Sequence, residues 1–152
     1  MTRGVPESGL PAWPCFKMGM HGQANIIYAA LPAGREFAPF IRALEMIARH
    51  HAAAAVDEVH GICANAELQV FISEHCPRCP AVVEAAVLLA IRHSWITCCV
   101  TNAEQFPEAA QQYRIRSVPA IVLDRKIVLV GDVSADRLMD FPLVFKIERG
   151  LR

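Results

Sequence analysis

The sequence carries no net charge: 15 Lys and Arg balance 15 Asp and Glu over 152 residues. Without a field of one sign, nucleic acid and anionic membrane are not expected partners, and partner choice falls to local contacts. Long apolar runs are missing as well. The longest, Ala81 to Ile91, is interrupted by Glu84 and reaches about half of the roughly 20 residues a membrane helix needs. Met1 to Gly22 lacks the uninterrupted apolar core of a secretory signal. A soluble, cytoplasmic chain is expected. There is also no second C-x-x-C and no H-x-x-x-H, so a tetrahedral zinc site lacks its other half.

What the chain does have is apolar content, 54% of residues. That is enough for one good core in a chain too short for two ordinary domains. Six cysteines stand at Cys15, Cys63, Cys76, Cys79, Cys98 and Cys99. A chain this apolar folds without covalent staples, so in a reducing compartment the pair Cys76 and Cys79 points to redox chemistry rather than to a scaffold.

Residues 1–22 hold Pro6, Pro11 and Pro14 among glycine and serine and show no period, which predicts a flexible tail. Residues 23–66 read as an accessory β-α unit and connector: a strand over Asn25–Ala30, a turn at Leu31–Gly34, then a helix from about Arg35 to His50. Phe37, Phe40, Ile41, Leu44 and Ile47 are placed on one stripe of that helix for burial. Residues 67–152 read as the main domain. Its order is a strand at Leu68–Ile72, an all-round apolar helix at Pro77–His93, a strand at Trp95–Val100 and a short helix at Pro107–Tyr113. A hairpin of Ala120–Leu123 and Ile127–Val130 follows, turned by Asp124-Arg125-Lys126, and then a last helix capped by Ser134.

Cys76-Pro77-Arg78-Cys79 falls at the predicted strand-to-helix turn. A dithiol works when one thiolate attacks a disulfide and a second thiol, within reach, resolves the mixed disulfide. With Cys76 as helix N-cap and Pro77 at the first helical position, the helix dipole and free amides favour the Cys76 thiolate. His75, when protonated, and Arg78 add positive charge. Cys79, one turn in, is the expected resolving thiol.

Strand, C-P-R-C, long helix and then Ser117-Val118-Pro119 before a hairpin resembles the thioredoxin and glutaredoxin superfamily. The resemblance is nearest to the N-terminal tandem-thioredoxin module of alkyl hydroperoxide reductase flavoproteins and to glutaredoxin-like protein disulfide oxidoreductases. Leu31-Pro32-Ala33-Gly34-Arg35-Glu36-Phe37 resembles the turn that ends the first, cysteine-free fold of that module. The fold implied is α/β, a thioredoxin-like three-layer α/β/α sandwich with a mixed sheet, preceded by an extra N-terminal β-α unit as a truncated second thioredoxin fold. The resemblance implies catalytic Cys76 and Cys79, and a cis peptide before Pro119. It further implies a Val118 backbone that pairs with an extended substrate segment, and pKa tuning by His75, Pro77 and Arg78. The chain departs from thioredoxins at Val70, six residues before Cys76, where they carry aspartate, and at His75, where they carry tryptophan.

The function expected is thiol–disulfide exchange or electron relay, with no cofactor beyond the Cys76–Cys79 disulfide and no metal. The alternative is a partner-binding module of the same fold with little redox turnover. Partners implied are a protein disulfide or dithiol, with a peroxiredoxin or a flavoprotein reductase among them. A homodimer is expected, because a half-fold leaves a sheet edge and an apolar helix face to cover. Gly131-Asp132 follows Val130 where glutaredoxins carry a second glycine, so glutathione is not an expected substrate. Adjacent Cys98 and Cys99 point to opposite faces of a strand and are expected to be inert. Cys63 is expected as a loop cysteine, and Cys15, Met18, Met20 and His21 have the soft-ligand character of a copper(I) set.

Overall fold

The computed structural model describes residues 15–20, 23–52, 66–131 and 137–138. Its framework is one six-stranded mixed sheet in the order β1-β2-β4-β3-β5-β6. The strands are β1 (Phe16–Met20), β2 (Gln23–Ala29), β3 (Ala66–Ile72), β4 (Ile96–Asn102), β5 (Ala120–Leu123) and β6 (Lys126–Val130). The helices are α1 (Phe37–Ala52), α2 (Cys79–Arg92) and α3 (Pro107–Gln112), with a single 3-10 turn at Gly34–Glu36 leading into α1.

β3 and β4 are parallel, and both are buried at nearly every position. This is the burial expected of strands covered on two faces. α2 and α1 cover one face, over a cluster that includes Leu68, Val70, Val83, Val87, Val100 and Ile121. On the other face Phe71, Ala120 and Val122 cluster with Ala110 of α3, giving three layers. α2 has a buried side chain at most positions because the sheet lies on one side of it and α1 on another. Where α1 and α2 meet, Arg42 Nη1 lies 2.7 Å from Glu84 Oε1.

Several expectations need correction. First, part of the predicted flexible tail is a strand: β1 pairs antiparallel with β2, Phe16 opposite Tyr28 and Met18 opposite Ile26, and slips between Met18 and Met20. Its apolar alternation, with Phe16 on Phe40 at 5.4 Å between ring centroids and Met18 against the core, is what orders it. Residues 1–14 lie outside the described set. Second, the accessory unit is a β-β-α unit built into the main sheet, since β2 pairs in parallel with β4 and shares one core with α2.

Third, the α1 stripe divides. Phe40 and Ile47 pack on the core with Ala43, whereas Phe37, Ile41 and Leu44 are exposed by 54%, 37% and 41%. The apolar arc is wider than the surface beneath it. Fourth, α2 begins at Cys79 with Arg78 as N-cap, so Cys76 precedes the cap and Pro77 is not the first helical residue. Pro80 takes the place in the first turn where a missing amide does no harm.

The β5–β6 turn is tighter than expected, with Asp124 and Arg125 both at positive φ, 42° and 68°, and Lys126 already paired with Leu123. It is pinned to β3 by Glu67 N donating to Asp124 Oδ1 at 2.9 Å and Asp124 N donating to Glu67 O at 3.0 Å. The expected cap at Ser134 lies outside the described residues; Arg137 and Leu138 are helical, and Leu138 is fully buried.

Candidate functional site

β3 ends at Ile72 and delivers Ser73–Arg78 to the tip of the sheet, where Cys76 and Cys79 are joined as a disulfide with Cα atoms 5.5 Å apart. Cys76 keeps 8% of its surface and Cys79 none, so of the two residues only Cys76 reaches the surface. The Cys79 amide donates to Cys76 Sγ at 3.1 Å. A main-chain donor aimed at that sulfur favours its thiolate once the bond is reduced, and so does the work that the sequence assigns to a helix cap. Cys76 N donates to Ser73 O at 3.1 Å, which closes the loop.

Around the dithiol, Pro77 and Arg78 are exposed. His75 is exposed too, with Nε2 3.3 Å from Glu74 Oε1. Glu74, His75 and Glu104 each bring a ligand atom within 4.8 Å of the others, and Ser73 Oγ donates to Glu104 Oε1 at 2.9 Å. The Val118–Pro119 peptide is cis, and Pro119 O accepts from Gly131 N at 2.9 Å. An open groove of about 360 Å³ runs from Ser73 and Glu104 past Pro107 and Ile115 to Arg116 and Val118. The residues singled out in the sequence therefore share one end of the sheet.

One residue was missed. Glu36 has no exposed surface; its Oε2 accepts from the Tyr28 hydroxyl at 3.3 Å, and among the described residues its Oε1 has no partner. Burial raises its pKa to about 7, with the Tyr28 hydrogen bond pulling the other way. The turn that carries it packs against α2, and Arg35 N donates to Glu74 O, two residues before Cys76. Tyr28 faces Val100 and Val100 faces Val70, so the acid's partner lies in the cross-strand row of the position where thioredoxins carry aspartate. Its signal was available. Glu36, Phe40, Ala43 and Ile47 follow the spacing of one helical stripe, and an acid on a buried stripe is unusual.

The remaining cysteines are set apart. Cys98 lies in the α2-side core, while Cys99 Sγ is 3.5 Å from Thr101 Oγ1. Burial pushes both thiols up, Cys99 to about 11. Of the soft-ligand set, Met18 packs against the core and His21 lies outside the described residues, as does Cys63.

Residues 66–140 match the family model described as thioredoxin domain. Over these residues the chain is thioredoxin-like. It is 26% identical over 130 residues to the F component of the alkyl hydroperoxide reductase of Pseudomonas aeruginosa, covering 83% of this chain and 25% of that protein. Against the Staphylococcus epidermidis protein of the same name the identity is 27% over 124 residues, covering 79% and 24%. The chain thus spans about a quarter of the length of these relatives. Among solved structures, the N-terminal domain of the Enterococcus faecalis reductase superposes with a TM-score of 0.71 at 20% identity, over 88% of this chain and 66% of that one. A protein disulfide oxidoreductase from Aeropyrum pernix gives 0.66 at 19% identity, over 87% and 59%. These superpositions establish the thioredoxin-like fold. No described helix is long and apolar enough to cross a membrane.

Proposed function

We propose that this thioredoxin-like protein is a thiol–disulfide oxidoreductase or electron relay in which Cys76 attacks and Cys79 resolves. The observation that carries the reading is the asymmetric pair: a disulfide in which Cys76 keeps some surface and its sulfur accepts from an amide, while Cys79 is fully buried.

The reduced Cys76 thiolate attacks one sulfur of a partner disulfide, forming a mixed disulfide and releasing the partner's other sulfur as a thiolate. Cys79 then loses its proton and attacks Cys76 Sγ. The Cys76–Cys79 bond forms, the second partner sulfur leaves, and two electrons have passed to the partner. Run backwards, a partner dithiol reduces the pair.

Glu36, a carboxyl whose pKa burial raises to about 7 on the turn hydrogen-bonded to Glu74 of the dithiol loop, is the candidate to take up the Cys79 proton during resolution and to return it on the reverse path. The partner's extended segment pairs with the Val118 backbone beside Pro119, and its side chains enter the groove next to Arg116 and Glu104. His75, Pro77 and Arg78 frame Cys76. The matched relatives direct attention to a peroxiredoxin or a flavoprotein reductase as partner, in a reducing compartment such as the cytoplasm.

The test is trapping. Cys79→Ser should hold partners as mixed disulfides on Cys76 that reductant releases, and Cys76→Ser should hold none. Equal capture by both variants would sink the assignment of roles.

A further inference from the structure

We propose that the β1 edge and the outer flank of α1 form the interface of a two-fold dimer of this chain. Among the described residues β1 ends the sheet, with β2 on one side and no strand on the other. An open edge is a template for another strand. Lys17 is its one charge, and in an antiparallel pairing centred on Met18 it lies opposite Gly19 rather than opposite another lysine.

The flank of α1 above this edge is apolar where solvent is expected. Phe37, Ile41, Leu44 and Ala48 are all exposed and follow the alternating spacing of four and three residues that makes a helix-packing seam. The direction of this seam follows from two contacts. Arg42 reaches Glu84 of α2, whereas Phe40 reaches Phe16 of β1. Phe37 and Leu44 flank Phe40 at three and four residues, so the seam runs on the β1 side of the helix.

A two-fold axis perpendicular to the sheet at β1 satisfies both features together. It joins the two sheets through β1 and brings the two α1 helices, on the same face, side by side and antiparallel. Phe16, Phe37, Ile41 and Leu44 are 40%, 54%, 37% and 41% exposed, which is about 300 Å² of apolar side chain per copy. Two copies supply about 600 Å², before the paired edges are added, of the roughly 1,200 Å² total at which stable interfaces begin.

The experiment is light scattering and sedimentation equilibrium on the full chain, in reductant, up to high micromolar concentration. The expected mass is twice 16.7 kDa. Ile41→Glu and Leu44→Lys, each checked for native circular dichroism, should weaken dimerisation at least about tenfold. A monomeric wild type overturns the proposal, whatever else covers the seam. A dimer indifferent to both substitutions also overturns it, because its interface lies elsewhere. Neither result bears on the redox reading, which the Cys79→Ser trap scores separately.

Discussion

The Tyr28 hydroxyl donates to the Glu36 carboxylate across 3.3 Å inside the core, and the other carboxylate oxygen has no partner among the described residues. Burial raises the pKa of Glu36 from 4.5 to about 7, against the pull of that hydrogen bond. Between those values the native state holds a proton that the unfolded chain has released. The contribution of this group to stability is full below about pH 4.5, falls as pH rises to about 7 and is flat above, a loss on the order of 3 kcal/mol. Glu36→Gln should remove that slope, so denaturant unfolding from pH 4.5 to 8 should show the variant gaining on the wild type as pH rises. Parallel pH curves would reject the assignment.

Tyr28→Phe deletes the one donor that lowers the Glu36 pKa. The carboxyl should titrate above about 7 in the variant, as followed by carbon-13 NMR of the glutamate carboxyls. A midpoint that stays put would mean that the hydroxyl contributes nothing to the acid.

Reduced Cys76 should alkylate at neutral pH at least about tenfold faster than a model thiol, because the Cys79 amide points at its sulfur. Cys98 and Cys99 should react only on unfolding, since burial raises both pKa values. Timed labelling with peptide mapping resolves the sites, and fast labelling of Cys99 in the folded chain would contradict its burial.

Gly34 sits at φ +56°, and a Cβ built there lies 3.0 Å from Glu74 O and 3.3 Å from Glu74 Cβ. Gly34→Ala should destabilise by about 1–3 kcal/mol through backbone strain and this close approach. It should also alter Cys76 reactivity, because Glu74 belongs to the dithiol loop. Chemical denaturation together with the alkylation rate measures both, and a neutral effect on the two would argue against the close packing.

The main domain was legible because its signals agree. Leu68–Ile72 and Ile96–Val100 are rich in apolar and β-branched residues, Asp124 and Arg125 mark a turn, and the dithiol falls between a strand and a helix. β1 was hidden because three prolines precede a strand of only five residues. The α1 stripe was read too broadly, since spacing alone does not say how much of an apolar arc a neighbouring sheet covers. Glu36 was passed over because an acid in the first turn of a helix normally serves the helix dipole in solvent; burial makes it chemically different, and burial is a tertiary property.

The turn between β2 and α1 is fastened at both ends of its short run to loops that frame the dithiol. Leu31 N donates to Gln105 Oε1 at 2.8 Å, and Arg35 N donates to Glu74 O at 3.1 Å. The first stitch reaches the loop next to Glu104, the second the peptide leading into Cys76. The same short turn that carries the buried Glu36 is thus tied by main-chain donors to the residues on either side of the reactive cleft. A substitution in this turn is therefore expected to register at the dithiol, although the turn lies forty or more residues away in sequence from Cys76.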